Sequence, residues 1–514
     1  MLNIIHNKMK KTSLTIGVTL TLGLNTVMAQ IPNVFGISDV DGNNGFVING
    51  VDNNAGMGTY VSDAGDFNND GIADVFISAS QGKNYLIFGT TSGLPSPFNI
   101  LTIDGGNGFI INSPVNASAI SKAGDINGDG IGDVVIGSDT DGTLLTGKAY
   151  VVFGSGQPLL QSINVSALDG SNGFVIEGID FDDRTGVSVA TAGDFNDDGF
   201  EDVIIGASMV DNGEFNNGAS YVIYGTDQGF TESFDLSDIN GSNGIAIYGV
   251  SAQERSGTDV AYGGDINGDG ISDLIIGAPE AGPNGTNSGR SYVVFGGQNL
   301  PQPYMLSSLN GSNGFAINGV GAHDFSGNAV SSAGDMNGDG FDDVLIGAYG
   351  ADPNGQSGSG ETYAVFGSDS AFPAVFELSD LDGNNGFTIN GINPGEESGF
   401  VVSVAGDVNG DGLSDIQVGA HMSSNGRSYL IYGRSQGFPN PFDMFPIPVG
   451  QGSRIEGRSF DRFGSTLSKA GDFNNDGVDD FIIGGPGNST NGAGSGSAYI
   501  VYGNDTIFTS SFDE

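Results

Sequence analysis

Seven times the chain writes Gly-Asp-x-Asn-x-Asp-Gly-x-x-Asp, roughly 70 residues apart, with the first loop aspartates at Asp66, Asp125, Asp194, Asp265, Asp335, Asp407 and Asp472. A period of this length marks an architecture built by stacking copies of one supersecondary unit. Each acidic segment follows a small-residue stretch such as Gly186-Val187-Ser188-Val189-Ala190. It runs at once into a β-branched strand: Val203-Ile204-Ile205, Leu274-Ile275-Ile276 or Val344-Leu345-Ile346. A further strand follows, as in Tyr150-Val151-Val152-Phe153, Tyr221-Val222-Ile223-Tyr224 and Tyr292-Val293-Val294-Phe295. Then an Asn-Gly turn opens a period-2 strand, Asn172-Gly173-Phe174-Val175-Ile176, with counterparts at Asn313-Gly314 and Asn385-Gly386. Asn-Gly tolerates positive φ at both turn positions, and Phe-x-Ile puts two large apolar groups on one face.

Four short strands fill the unit and leave no room for a helix of ordinary length. A four-stranded unit at this period reads as a propeller blade. With the strands named A (before the acidic loop), B, C and D, the first D strand, Gly45 to Asn49, precedes the first A strand. The chain ends soon after the last C strand, Ala498 to Tyr502. Seven complete blades therefore require the N-terminal D strand to complete the last one, which removes an open sheet edge. The expected fold is all-β: a seven-bladed β-propeller of four-stranded blades over residues 30–505, closed by an N-terminal strand, with a short tail at 506–514.

Composition agrees. Glycine supplies 89 of 514 residues, which opposes long helices, and there is no cysteine for disulfides or thiolate metal sites. Asp and Glu number 61 against 15 Lys and Arg, a net charge of −46, which argues against nucleic acid and anionic membranes and for divalent cations. Three histidines make a multi-histidine metal centre improbable. At the N-terminus Lys8, Lys10 and Lys11 precede an apolar run, Leu14 to Val27, ending Val27-Met28-Ala29. Residues 1–29 read as a signal peptide whose removal leaves Gln30 first. The run is too short and polar for a membrane span. The expectation is an exported monomer, secreted or held in the periplasm or at the cell surface.

In each acidic loop, side-chain oxygens at positions 1, 3, 5 and 9 and the carbonyl of position 7 form a set of hard oxygen donors suited to Ca²⁺, with Gly at position 6 for the turn. The first loop offers Asp66, Asn68, Asp70, Ile72 and Asp74, the second Asp125, Asn127, Asp129, Ile131 and Asp133. The third offers Asp194, Asn196, Asp198, Phe200 and Asp202, the fourth Asp265, Asn267, Asp269, Ile271 and Asp273. Asp335, Asn337, Asp339, Phe341 and Asp343 follow, then Asp407, Asn409, Asp411, Leu413 and Asp415. The last set is Asp472, Asn474, Asp476, Val478 and Asp480. An EF-hand would need a bidentate Glu at position 12. Here that position is Ile77, Ile136, Ile205, Ile276, Ile346, Val418 or Ile483, already inside strand B. About seven Ca²⁺ are expected.

The small-residue strand, the acidic loop and Ile275-Ile276-Gly277-Ala278-Pro279 resemble the FG-GAP repeat, over roughly residues 34–504. That repeat builds the seven-bladed propeller of integrin α chains and of many bacterial exported proteins. The resemblance implies Ca²⁺ in the A–B loops on one face and partner binding on the opposite face. The chain departs from the pattern: Phe-Gly stands in place only at Phe463-Gly464, with Ser256-Gly257, Ser326-Gly327, Ser398-Gly399 or Thr185-Gly186 elsewhere. No Gly-x-Ser-x-Gly elbow, phosphate loop or His-Glu-x-x-His motif occurs, so no catalytic residue is assigned. The expected role is a non-enzymatic adhesion module for an extracellular protein or glycan. The alternatives are a calcium-dependent enzyme degrading extracellular polysaccharide and a structural matrix protein. The variable loops Met209 to Gly218, Glu280 to Gly289 and Tyr349 to Gly360 lie between B and C, where binding usually resides. Arg184, Arg255 and Arg462 recur at one position of the D–A connections, which suggests ion pairs that pack the blades. His323 and Phe460 lie in the same connections.

Overall fold

Val61–Gly65, Ala119–Gly124, Thr185–Gly193, Asp259–Gly264, Ala329–Gly334, Val402–Gly406 and Thr466–Gly471, the seven A strands, stand around a common axis. Each packs on the next and the last packs on the first, so the ring is closed. The small side chains of these strands allow seven backbones to crowd at the axis. The structure is a computed structural model and describes residues 34–503 apart from 143, 144, 157, 158 and 449. The expected signal peptide (1–29) and tail (506–514) lie outside the described residues. All helical segments among the described residues are single 3-10 turns.

Outward from each A strand the sheet continues antiparallel. In the third sheet Thr185–Gly193 pairs with Asp202–Ala207, which pairs with Ala219–Ile223 and then with Gly244–Tyr248. The register sets Ile204 opposite Val222 and Val222 opposite Ile245, so one face of each sheet is continuously apolar. The core lies between neighbouring sheets: Ile204, Val222 and Ile247 of the third meet Leu274, Ile276 and Tyr292 of the fourth. The C–D connections return the chain to the acidic-loop side, so A–B and C–D loops share one face and B–C and D–A loops the other.

The expectation of four-stranded blades is corrected in six of the seven sheets, which carry a fifth strand. It is two or three residues long and runs parallel to D; in five sheets it comes from the C–D connection of the following repeat, and in the sixth sheet from the N-terminal segment. Ser233–Asp235 of the third repeat lies along Gly173–Glu177 of the second, and Tyr304–Met305 of the fourth along Gly244–Tyr248 of the third. A 3-10 turn follows each except Phe442–Asp443 and sinks one apolar residue, such as Val165, Leu236 or Leu378. The D strand would otherwise present a row of unpaired amides and carbonyls, and the neighbour covers it.

Closure follows the sequence expectation and adds a second clasp. Gly45–Asn49 pairs antiparallel with Ser497–Val501, setting Phe46 opposite Ile500 and Ile48 opposite Ala498. Just before it, Val34–Gly36 lies parallel on Gly452–Glu456, forming the fifth strand of the sixth sheet. The seventh sheet is reached from the first repeat by two isolated bridges, Phe98 to Ile48 and Met57 to Gly496.

A charged clamp crosses the same seam inside the axial cavity of about 460 Å³. Asp63 of the first sheet takes Lys122 of the second at 3.3 Å and Lys469 of the seventh at 3.7 Å. Burial alone would raise the Asp63 carboxyl; the two ammonium groups and the Gly65 amide hold it below its ordinary 3.8. A depressed folded value stabilises the fold above the unfolded carboxylate range and loses that contribution as pH falls. Asp63→Asn is therefore expected to cost about 1–3 kcal/mol at pH 7, a range lowered because both lysines are partly exposed. The difference should shrink towards zero below about pH 3, as urea melts at the two pH values would show.

Candidate metal loops and the opposite face

The seven acidic loops have one bonding pattern. The first aspartate of each turns inward to cap two amides: Asp66 Oδ1 accepts from the Asp70 N–H and Oδ2 from the Gly71 N–H, both at 2.9 Å. Position 5 does the same one step later, with Asp70 Oδ1 accepting from the Ile72 N–H at 3.0 Å. Asp194 and Asp198 repeat this in the third loop and Asp472 and Asp476 in the seventh. The glycine at position 6 is fixed by its backbone: φ is 86° at Gly71, 96° at Gly199 and 95° at Gly477. Open space surrounds the missing Cβ at all three, so left-handed conformation, not crowding, demands glycine there.

Position 9 is different in kind. Asp74, Asp133, Asp202, Asp273, Asp343, Asp415 and Asp480 open strand B and are fully buried. Each bridges two backbone amides. Asp202 Oδ2 accepts from the Phe195 N–H at 3.1 Å and Oδ1 from the Gly225 N–H at 2.8 Å. Asp133 bridges Ile126 and Gly154, and Asp480 bridges Phe473 and Gly503. The glycines that end the C strands were missed from sequence as part of the site. A Cβ on Gly225 would stand 2.3 Å from the Glu201 carbonyl oxygen, and one on Gly154 2.3 Å from that of Gly132. The available signal was a glycine after every C strand, as in Phe153-Gly154 and Tyr224-Gly225.

Burial raises Asp133, Asp202 and Asp273 to about 8, against the pull of their amide partners, and the position 5 and position 1 aspartates add to the rise. Ionisation of all three carboxyls of one loop is thus opposed by their mutual repulsion and by burial of the third. In the third loop Asn196 Oδ1 is also buried without a hydrogen-bond partner. An orphaned acceptor beside mutually repelling carboxylates fits a hard cation held by oxygen donors. Among the described residues no three His, Asp or Glu side chains are drawn together into a cage, because positions 1 and 5 face loop amides. A carboxylate offers about four lone-pair sites, so those bonds leave acceptor capacity in each loop.

Neighbouring loops are tied to one another. Glu201 accepts from the Asp125 N–H at 2.8 Å, Asp342 from the Asp265 N–H at 2.8 Å, and Asp479 from the Asp407 N–H at 3.0 Å. The position 8 side chain of one repeat therefore fixes the first loop residue of the repeat before it.

On the other face, Arg184 bonds Asp182 at 2.8 Å and Asp139 at 3.4 Å, and Arg255 bonds Glu280 at 3.0 Å. The recurring position itself is a left-handed turn, with φ of 61° at Arg184, 53° at Arg255 and 52° at Arg462. Phe325 and Glu397 occupy it at 54° in the fifth and sixth repeats, and Gly56 at 57° in the first. The recurrence seen in sequence is thus one of backbone conformation, filled by different side chains. Phe181, Phe215 and Phe460, exposed at 67%, 60% and 90%, all project from D–A or B–C connections. Leu160 and Phe445, exposed at 78% and 63%, lie in C–D connections, and among the described residues none of the exposed large apolar side chains lies in an A–B loop.

With this geometry in hand, comparison with known proteins gives the repeat a name. The FG-GAP repeat family model matches residues 185–223, 256–294, 326–365, 398–431 and 463–501, each running from the D–A turn to strand C. Integrin alpha-4 of Xenopus laevis is 32% identical over 160 residues, 30% of this chain and 14% of that protein. Integrin alpha pat-2 of Caenorhabditis elegans is 28% identical over 258 residues, 48% of this chain and 20% of that protein. The phosphatidylinositol-glycan-specific phospholipase D of Dictyostelium discoideum is 27% identical over 317 residues, 58% of this chain and 31% of that protein. The chain therefore spans less than a third of the length of these relatives.

Proposed function

Since this chain is an FG-GAP-repeat β-propeller of the integrin α type, we propose that it is an exported, calcium-loaded binding module without an enzymatic activity of its own. The observation that carries the reading is the contrast between its faces. Seven loops of uniform bonding occupy one face, whereas long loops bearing exposed phenylalanines occupy the other. Exposed aromatic side chains on long loops of a rigid scaffold mark an interaction surface. Export rests on the N-terminal segment 1–29, and N-terminal sequencing of the protein from culture fluid or cell envelope should begin at Gln30. The role of the metal is structural: positions 1, 3, 5, 7 and 9 of each loop would hold Ca²⁺, which neutralises the clustered carboxylates.

A combined glycan and protein array, probed with the calcium-loaded chain, tests this reading. Binding without release of product is the expected result. Asp198→Ala should remove one calcium by elemental analysis and leave ligand binding intact. Loss of binding at unchanged melting temperature would instead place the metal in contact with the ligand. Turnover of a bound polysaccharide would replace the reading by the enzymatic one.

A further inference from the structure

On the loop face opposite the acidic loops, a row of rings crosses the fifth and sixth sheets. His323 lies 6.4 Å from Phe325, Phe325 stacks at 5.4 Å and 10° on Tyr349, Tyr349 meets Phe400 edge-on at 5.7 Å, and Phe400 lies 4.4 Å from His421. Phe325, Tyr349 and Phe400 are half-buried, His323 is exposed, and His421 is buried beneath the end of the row. We infer that this row is a stacking platform for the sugar rings of an uncharged polysaccharide. The inference rests on the reading above that this face carries the ligand, and it names the ligand class.

The scaffold does not require these rings. Phe400 stands where other repeats carry Thr59, Ser118, Val187, Thr258, Asn328 and Ser465. Tyr349 stands where they carry Ser80, Asp139, Ser208, Pro279, His421 and Pro486. Phe325 shares its left-handed turn position with Arg184, Arg255 and Arg462. Blades of the same geometry form without an aromatic group at any of the three positions, so packing of the fold leaves the row unexplained.

Charge selects among ligands. Glu280 and Glu397 lie within electrostatic reach of Tyr349, and the chain as a whole is strongly acidic, which disfavours a polyanion. Cations also flank the row: Arg255 is paired with Glu280, and the charge of Arg462 reaches His421. A polycation therefore meets repulsion as well. A neutral glycan presents C–H faces that stack on aromatic rings and hydroxyl groups that donate to carboxylates, and it opposes neither sign of charge.

The test is affinity electrophoresis of the full calcium-loaded chain in gels containing soluble xylan, mannan, laminarin or dextran, with alginate and polylysine as charged arms. Retardation by at least one neutral polymer is expected. Tyr349→Ala and Phe400→Ala should each weaken it about ten-fold, the usual scale of one lost stacking contact. Tyr349→Phe, which keeps the ring, should retain binding, and so should Phe445→Ala, which removes an exposed ring from a C–D connection outside the row. Melting temperatures of all four variants report whether any loss comes from misfolding. Retardation by the charged polymers alone, or equal losses in Phe445→Ala and Phe400→Ala, overturns the platform. If a protein from the array binds this face while no neutral polymer does, the platform falls and the binding-module reading stands.

Discussion

Asp202→Ala is expected to destabilise the protein by about 2–6 kcal/mol in chelator, and by more in calcium, where the loop also loses a donor to the metal. The substitution strands two buried amides, those of Phe195 and Gly225, and each buried unsatisfied group costs about 1–3 kcal/mol. Set against a usual total of about 5–15 kcal/mol, this is a large fraction of the stability. Asp198→Ala, in the exposed part of the same loop, should differ. Its loss should appear only in calcium, at about 2–3 kcal/mol for one site at a hundred-fold excess of metal over Kd. Wild type should itself melt lower in chelator by the summed contribution of its filled loops. Urea melts of wild type and both variants, with and without calcium, separate the two roles. A neutral Asp202→Ala in chelator would show that position 9 is no structural bridge, and equal wild-type melts in calcium and chelator would remove the metal from the account.

Deleting residues 34–51 should be at least as severe. It removes both clasps at once: Gly45–Asn49 from the seventh sheet and Val34–Gly36 from the sixth. Phe35, Ile37, Phe46 and Ile48 are all buried, and each contributes about 1.5–3 kcal/mol by burial. The sum is comparable with the whole stability of an ordinary domain, and the newly bared strands Gly452–Glu456 and Ser497–Val501 are open to pairing with other chains. Aggregation is the expected result in size-exclusion chromatography. Deleting 34–36 alone should give a monomer with lowered melting. A monomeric 34–51 deletion with unchanged melting would mean that the ring closes by other contacts.

The repeat period, the strand sequence within it and the closing role of Gly45–Asn49 were legible because each has a strong local signal: acidic loop, β-branched run, Asn-Gly turn. The fifth strands were not. Segments such as Tyr304–Met305 are two residues long, and their pairing is dictated by the neighbour's exposed edge, not by their own pattern. The clamp at Asp63 was hidden for another reason. Lys469 lies some 400 positions away in the chain and meets Asp63 only because the ring closes. In the acidic loops sequence places positions 1, 3, 5, 7 and 9 in one turn. It could not tell that position 9 faces inward onto two amides while position 1 faces the loop, since both are simply Asp. At Arg184, Arg255 and Arg462 the repeated residue type drew attention, whereas the feature held in common is a left-handed turn that also accepts Phe325 and Glu397.

The outermost strand lent to the sheet before it makes six of the seven junctions in the ring the same kind of link, one donor segment and one acceptor edge. Splicing out a whole unit, or adding one, would join a donor to an acceptor of the usual form and leave no unmatched seam. Chain length is thus not what sets the circumference. The limit lies at the hub, where Ser121, Thr191, Ser332 and their counterparts occupy the narrow space between adjacent A strands. Bulkier groups there would widen the hub and smaller ones would tighten it, so the number of blades is decided by a few side chains nearest the axis.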